Sequence, residues 1–229
     1  MKKAYNTAES ELPDFLSGDG KIINLSYRRL KSSDLKELFN KVENPDKVIE
    51  LNLYDNRLTD ISEIKRFKNL KRLYLDYNGN LEDISALQNL NNLKYLSLCY
   101  NKITDISALQ NLNNLNTLDI RYNKITNILA LENLIRLDVL DIGYNKITNI
   151  SSLKNLIRLN VLNIGYNNIK DISALKNLKK LKSLNLNNLQ LEPDQIKYIK
   201  DLKLVQLFGK GAFKSDVLKQ LNKNVTIYL

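Results

Sequence analysis

The sequence predicts an α/β solenoid: a curved parallel sheet on the concave face, short 3-10 or turn segments on the convex face, and helical caps at both ends. Three observations predict it. The stretch YNKIT occurs three times, from Tyr100, Tyr122 and Tyr144, each copy starting 22 residues after the last. Leucines recur with the spacing L-x-x-L-x-L at the same interval, and one asparagine follows each run, at Asn56, Asn78, Asn101, Asn123, Asn145 and Asn167. A catalytic motif is needed once per active site, so repetition at fixed spacing speaks of architecture before chemistry.

Residues 1–19 are expected to form an N-terminal extension, partly disordered, and its two lysines are followed by no apolar run of the kind a signal segment carries. Residues 20–47 read as a strand-helix cap. Ile23 and Leu25 alternate as in a strand, and Leu35, Leu38, Phe39 and Val42 follow at helix spacing, with Ser33 or Asp34 expected as the N-cap. The repeats occupy 48–188, with coils at 48–69, 70–92, 93–114, 115–136, 137–158 and 159–180 and a divergent one from Leu181. All six are 22 residues long except 70–92, where YNGNLEDI replaces YNKITDI and adds one residue. Residues 189–229 read as a C-terminal strand-helix cap: Leu189 replaces the asparagine, Pro193 starts a helical segment, and LKLVQLF and NVTIYL are strands flanking a helix around 216–221.

The spacing has a physical meaning within each coil. Leu96 and Leu98 point to one side of a short strand, while Tyr95, Ser97 and Cys99 point to the other. Ile103, Ile106, Leu109 and Leu112 then recur every third residue, which suits a 3-10 return path. No single coil can close a core, so the coils must stack. The asparagine after each strand sits where the chain turns into the core, and its amide both donates and accepts, so it can pair backbone groups in its own coil and the neighbouring one. A second row, Asn89, Asn111, Asn133, Asn155 and Asn177, is expected to do similar work on the return path, and the Asp and Ser of D-I-S to cap short helical turns.

At these residues, NLNNLKYLSLCYNKITDISALQ among them, the chain resembles the leucine-rich repeat proteins of the 22-residue class, found in bacterial internalins and in the regulatory subunit of protein phosphatase 1. The resemblance implies a non-enzymatic module that binds a folded protein on its concave face.

Composition bounds the chemistry independently. The 229 residues contain no histidine, no tryptophan and one cysteine, Cys99, so an internal disulfide is excluded and the usual zinc ligands and general bases near neutral pH are absent or nearly so. No catalytic residue, metal site or cofactor is expected. Asp76, Asp119 and Asp141 share the open sheet face, but a solvated polar surface explains them. The stretch GKGAFKS from Gly209 fails the spacing of a phosphate-binding loop. No segment is apolar enough for a membrane span and no signal peptide is evident, so the expectation is a cytoplasmic monomer, with export as an effector by another route left open. The formal charge is +10, and from Lys176 onward eleven lysines face four acids, a net of +7. The alternative function is therefore binding of nucleic acid or another anionic surface through the basic C-terminal region, although no nucleic-acid recognition module is present.

The candidate protein-binding site lies on the concave face. Tyr77, Tyr100, Tyr122, Tyr144 and Tyr166 each precede a ladder asparagine and should stack as a row, either to cover the asparagines or to line a partner groove. Gly143 and Gly165 stand where bulkier residues occur in other coils, and with Val139 and Val161 they suggest a shallow apolar floor, rimmed by Asp119, Arg121 and Asp141. A larger side chain at position 143 is expected to be tolerated there.

Overall fold

Leu96 sits between Tyr95 and Ser97 in a strand of only three residues, and that pattern is repeated ten times in a computed structural model that describes residues 15–221 and 224–229. The strands are β1 (Ile22–Asn24), β2 (Glu50–Asn52), β3 (Arg72–Tyr74), β4 (Tyr95–Ser97), β5 (Thr117–Asp119), β6 (Val139–Asp141), β7 (Val161–Asn163), β8 (Ser183–Asn185), β9 (Gln206–Phe208) and β10 (Thr226–Tyr228). They form one parallel sheet in sequence order, and the register places Leu51, Leu73, Leu96, Leu118, Leu140, Leu162 and Leu184 side by side. All seven are buried. Alternation along the strand leaves the flanking positions on the open face.

The return path is built from 3-10 turns, among them Ser85–Leu87, Ser107–Leu109, Leu129–Leu131 and Ser173–Asn177. Asp60, Asp83, Asp105 and Asp171 accept the backbone N–H two residues on, so the D-I-S triplet starts each turn as its chemistry suggests. Asn127 and Asn149 do the same in their coils.

The asparagine ladder runs through the core edge. Asn123 donates through Nδ2 to the carbonyls of Leu98 at 2.9 Å and Ile120 at 3.1 Å, and its Oδ1 accepts from Ile103 N–H at 3.0 Å. Asn145 and Asn167 repeat these bonds one coil on. The extra residue of the coil 70–92 is absorbed at once: Leu81 N–H bonds to the Asn78 carbonyl at 2.7 Å, and Asn101 Oδ1 accepts from Asn78 N–H instead. The row from Asn89 to Asn177 does not make the bonds expected of it. Asn69, Asn92 and Asn114 instead brace the return path, donating to the carbonyls of Asp46, Lys68 and Asn91.

The ends are closed by α1 (Ser32–Asn40) and α2 (Ser215–Leu218). The N-cap of α1 is Lys31, not Ser33 or Asp34, and Asp34 reaches back from the first turn to accept Lys31 N–H at 2.8 Å. Phe15 is buried and Leu16 bridges Ile23, so the cap begins inside the expected extension; residues 1–14 of that extension lie outside the described residues. The segment from Pro193 is a 3-10 helix to Tyr198.

Candidate functional site

Three layers of side chains make up the open face, each fixed by its place in the strand. The strand starts carry Val139 and Val161, directly paired in β6 and β7 and half-buried. The strand ends carry Asp119 and Asp141, paired in β5 and β6. Two residues later come Cys99, Arg121, Gly143 and Gly165, and past the sheet's edge stands the tyrosine column.

A second hydrogen-bonded ladder, unsuspected from sequence, orders the strand ends. Asn24, Asn52, Asp119, Asp141, Asn163 and Asn185 each accept the backbone N–H two residues on, at 2.9–3.1 Å. Where Ser97 does not make this bond, Asp76 of the coil before accepts Cys99 N–H at 2.9 Å and the Ser97 hydroxyl. Asp76 is thus a buried structural acceptor rather than part of a solvated acidic face. The recurrence of Asn or Asp at the third strand position was the available signal.

The structure brings Asp119, Arg121 and Asp141 together. Arg121 Nε lies 3.2 Å from Asp119 Oδ2 and 3.3 Å from Cys99 Sγ, and Nη1 lies 3.5 Å from Asp141 Oδ2. Burial, and then the Asp141 carboxylate, push Asp119 up to about 7; burial also raises Asp141. Burial pushes the Cys99 thiol up to about 12, so it is not a nucleophile near neutral pH.

Gly143 and Gly165 are buried rather than open floor. A Cβ at Gly143 would stand 2.8 Å from Asn163 Nδ2, and one at Gly165 would stand 2.8 Å from Asn185 Oδ1 and 3.0 Å from the Asn187 backbone nitrogen. Asn163 is held between Asp141 Oδ2 and Gly165 N–H, so it cannot move aside freely. The expected tolerance at position 143 is therefore overturned: Gly143→Arg is predicted to lower stability as well as altering the face.

The tyrosines form one continuous column. From Tyr77 through Tyr100, Tyr122 and Tyr144 to Tyr166 the ring centroids are 4.0–4.3 Å apart and within 17° of parallel. Tyr54 and Tyr27 extend the column at 5.3 and 5.0 Å. All five stacked tyrosines have φ between 53° and 56°, the left-handed region. That conformation costs a residue with a Cβ roughly 1–2 kcal/mol, which ring pairs worth about 0.5–1.5 kcal/mol each offset. Asp55 and Asn188 occupy the same place in the outer coils with φ of 51° and 62°. Their side chains tolerate this region, and that was the overlooked clue.

The Leucine-rich repeat region family matches residues 20–217. The chain belongs to the leucine-rich repeat family. This leucine-rich repeat chain is 30% identical to internalin C2 of Listeria monocytogenes, over 82% of this chain and 78% of that one, with a TM-score of 0.71. It is 34% identical to internalin F of the same organism, over 90% of this chain and 57% of that one, with a TM-score of 0.76. It is an internalin-like leucine-rich repeat protein, and it spans little more than half of the internalin F chain. The ectodomain of an Arabidopsis thaliana receptor kinase, 23% identical over 80% of this chain and 24% of that one with a TM-score of 0.64, shares the fold. No curated protein matches.

Among the described residues no three His, Cys, Asp or Glu side chains are grouped to hold a metal ion, and no helix is long and apolar enough to cross a membrane. What the leucine-rich repeat face offers is a preorganised surface: an ion-paired cluster, two paired valines and a rigid aromatic edge.

Proposed function

We propose that the chain is a non-enzymatic interaction module that, as a monomer, holds a folded protein on the concave face of its central coils. The observation that carries this reading is the variety of that face in a chain that repeats nearly everything else. Across β2 to β8 the middle strand position is leucine every time, whereas the first position runs Glu50, Arg72, Tyr95, Thr117, Val139, Val161, Ser183. The fold needs the leucines to close the core, but it leaves the outward positions free to specify a partner.

The centre of that face also has the composition of an interface core with a polar rim. Val139 and Val161 supply apolar area, and Asp119, Arg121 and Asp141 are already ion-paired, so little ordering remains to be done on binding. Tyr77, Tyr100, Tyr122, Tyr144 and Tyr166 border it as a stacked edge whose rings present hydroxyls and edges rather than free faces.

Capture from a lysate of the source organism or its host, comparing wild type with Val139→Arg plus Val161→Arg, tests this. Arg72 and Tyr95 occupy the same position in β3 and β4, so large side chains fit there and folding should persist. A protein retained by the wild type and by Lys154→Glu but lost from the valine variant is the expected outcome. Equal retention by all three would move the site off the concave face.

A further inference from the structure

Each coil returns to its strand through a four-residue turn whose two ends are buried and whose two central residues form an exposed tip. In the coil 115–136 the turn runs from Leu134 to Leu137, closed by Leu137 N–H to the Leu134 carbonyl at 3.0 Å; in the next it runs from Leu156 to Leu159, again at 3.0 Å. The end leucines are fully buried. The tip residues cannot follow them inward.

In the first three coils the tips are polar: Lys68–Asn69, Asn91–Asn92 and Asn113–Asn114. Their second residue is the asparagine whose amide braces the neighbouring return path. The next three tips depart from this together, reading Ile135–Arg136, Ile157–Arg158 and Lys179–Lys180. The two isoleucines are 55% and 57% exposed. Among the described residues only Arg136 of the four cations has a partner, donating to Asn114 Oδ1 at 2.6 Å, and none of the four is ion-paired. Folding asks for neither change, since asparagine serves the same turn in the neighbouring coils. The chain has given up a bracing amide and exposed two aliphatic side chains, in consecutive coils joined through β6, β7 and β8.

We propose that this row of turn tips docks on an anionic lipid surface, with Ile135 and Ile157 entering the headgroup and acyl boundary and Arg136, Arg158, Lys179 and Lys180 meeting lipid phosphates. Aliphatic tips beside cations that form no ion pair among the described residues supply the two signals, apolar insertion and a basic patch, that together hold a protein on a bilayer. The row protrudes, so it suits a broad surface rather than a small ligand. A single-stranded nucleic acid would use the cations but would gain nothing from isoleucine, because bases stack on aromatic rings or guanidinium planes. The +7 charge of the residues from Lys176 onward adds long-range attraction to the same surface.

The test is cosedimentation at physiological salt with vesicles of phosphatidylcholine alone and of phosphatidylcholine mixed with phosphatidylglycerol. Wild type should bind only the mixed vesicles. Arg136→Asn with Arg158→Asn should weaken partitioning about fivefold per cation removed, and Ile135→Asn with Ile157→Asn by about tenfold or more. Asparagine is the residue of the neighbouring tips, so both variants should melt like wild type. Because the chain lacks tryptophan, Ile135→Trp gives a single reporter whose emission should shift to the blue on the mixed vesicles. No binding by wild type, no shift of the reporter, or undiminished binding by the isoleucine variant would overturn the proposal; so would tighter binding to single-stranded RNA than to vesicles, which would identify a nucleic acid instead.

Discussion

Asn123 satisfies three backbone groups that no water reaches, in its own coil and the one before. Asn123→Ala leaves them unpaired and should cost about 1–3 kcal/mol, whereas Lys124→Ala, on an exposed side chain, should stay within about 0.5 kcal/mol; urea melts of the two variants check this. Asp119 gives a pH dependence with a definite sign. Its carboxyl titrates at about 7 in the folded chain and near 3.9 when unfolded, so the folded state holds the extra proton between those values and stability falls as pH rises from about 4 to about 7. Asp119→Asn keeps an acceptor for Arg121 N–H, as Asn163 does for Gly165, and should flatten that slope in urea midpoints measured at pH 5 and pH 8. At this scale the buried ladder was legible because it recurs every coil. The closeness of Asn163 to Gly143 was not, because it depends on two side chains of adjacent coils meeting at a register that only pairing fixes.

At the scale of elements, the tyrosine column shows how a repeat converts a local cost into a shared gain. One tyrosine in the left-handed region would be strained, but each ring inside the column touches two others. Tyr144 stacks on both Tyr122 and Tyr166 at 4.0 Å. Tyr144→Ala should therefore destabilise by about 1–3 kcal/mol, the sum of two ring pairs, and Tyr144→Asn by less, because asparagine tolerates positive φ. Thermal or urea melts give the ranking, and partner affinity measured on the same two variants separates ladder from ligand surface: a loss in affinity beyond the loss in stability would mark the ring as a contact. The strands and 3-10 turns followed from leucine spacing and from D-I-S. The cap of α1 did not, since Ser32, the first residue of the helix, spends its hydroxyl on Thr59 and Asp60 N–H groups from the next coil, a tertiary demand that local sequence does not display.

For the whole molecule, the division of labour is between positions the solenoid repeats and positions it leaves variable. The leucines, the buried asparagines and the tyrosines recur, and they hold the central coils in register within the sheet that runs from β1 to β10. The outward strand residues and the turn tips change from coil to coil, and they are the surfaces proposed here for a protein and for a lipid. The family was legible in the sequence because a strict period leaves little room for another fold. The Asp119, Arg121 and Asp141 cluster was legible only as neighbours on one face, since its ion pairs depend on how far Arg121 reaches across two strands. Hydroxyl-radical footprinting of the captured complex reads out which face of the solenoid the partner covers. Concave-face binding requires protection of Val139, Val161 and Arg121, with exposed Leu129 on the convex side labelled as in the free protein; protection confined to the convex side or the turn tips, with the valines still labelled, would rule it out.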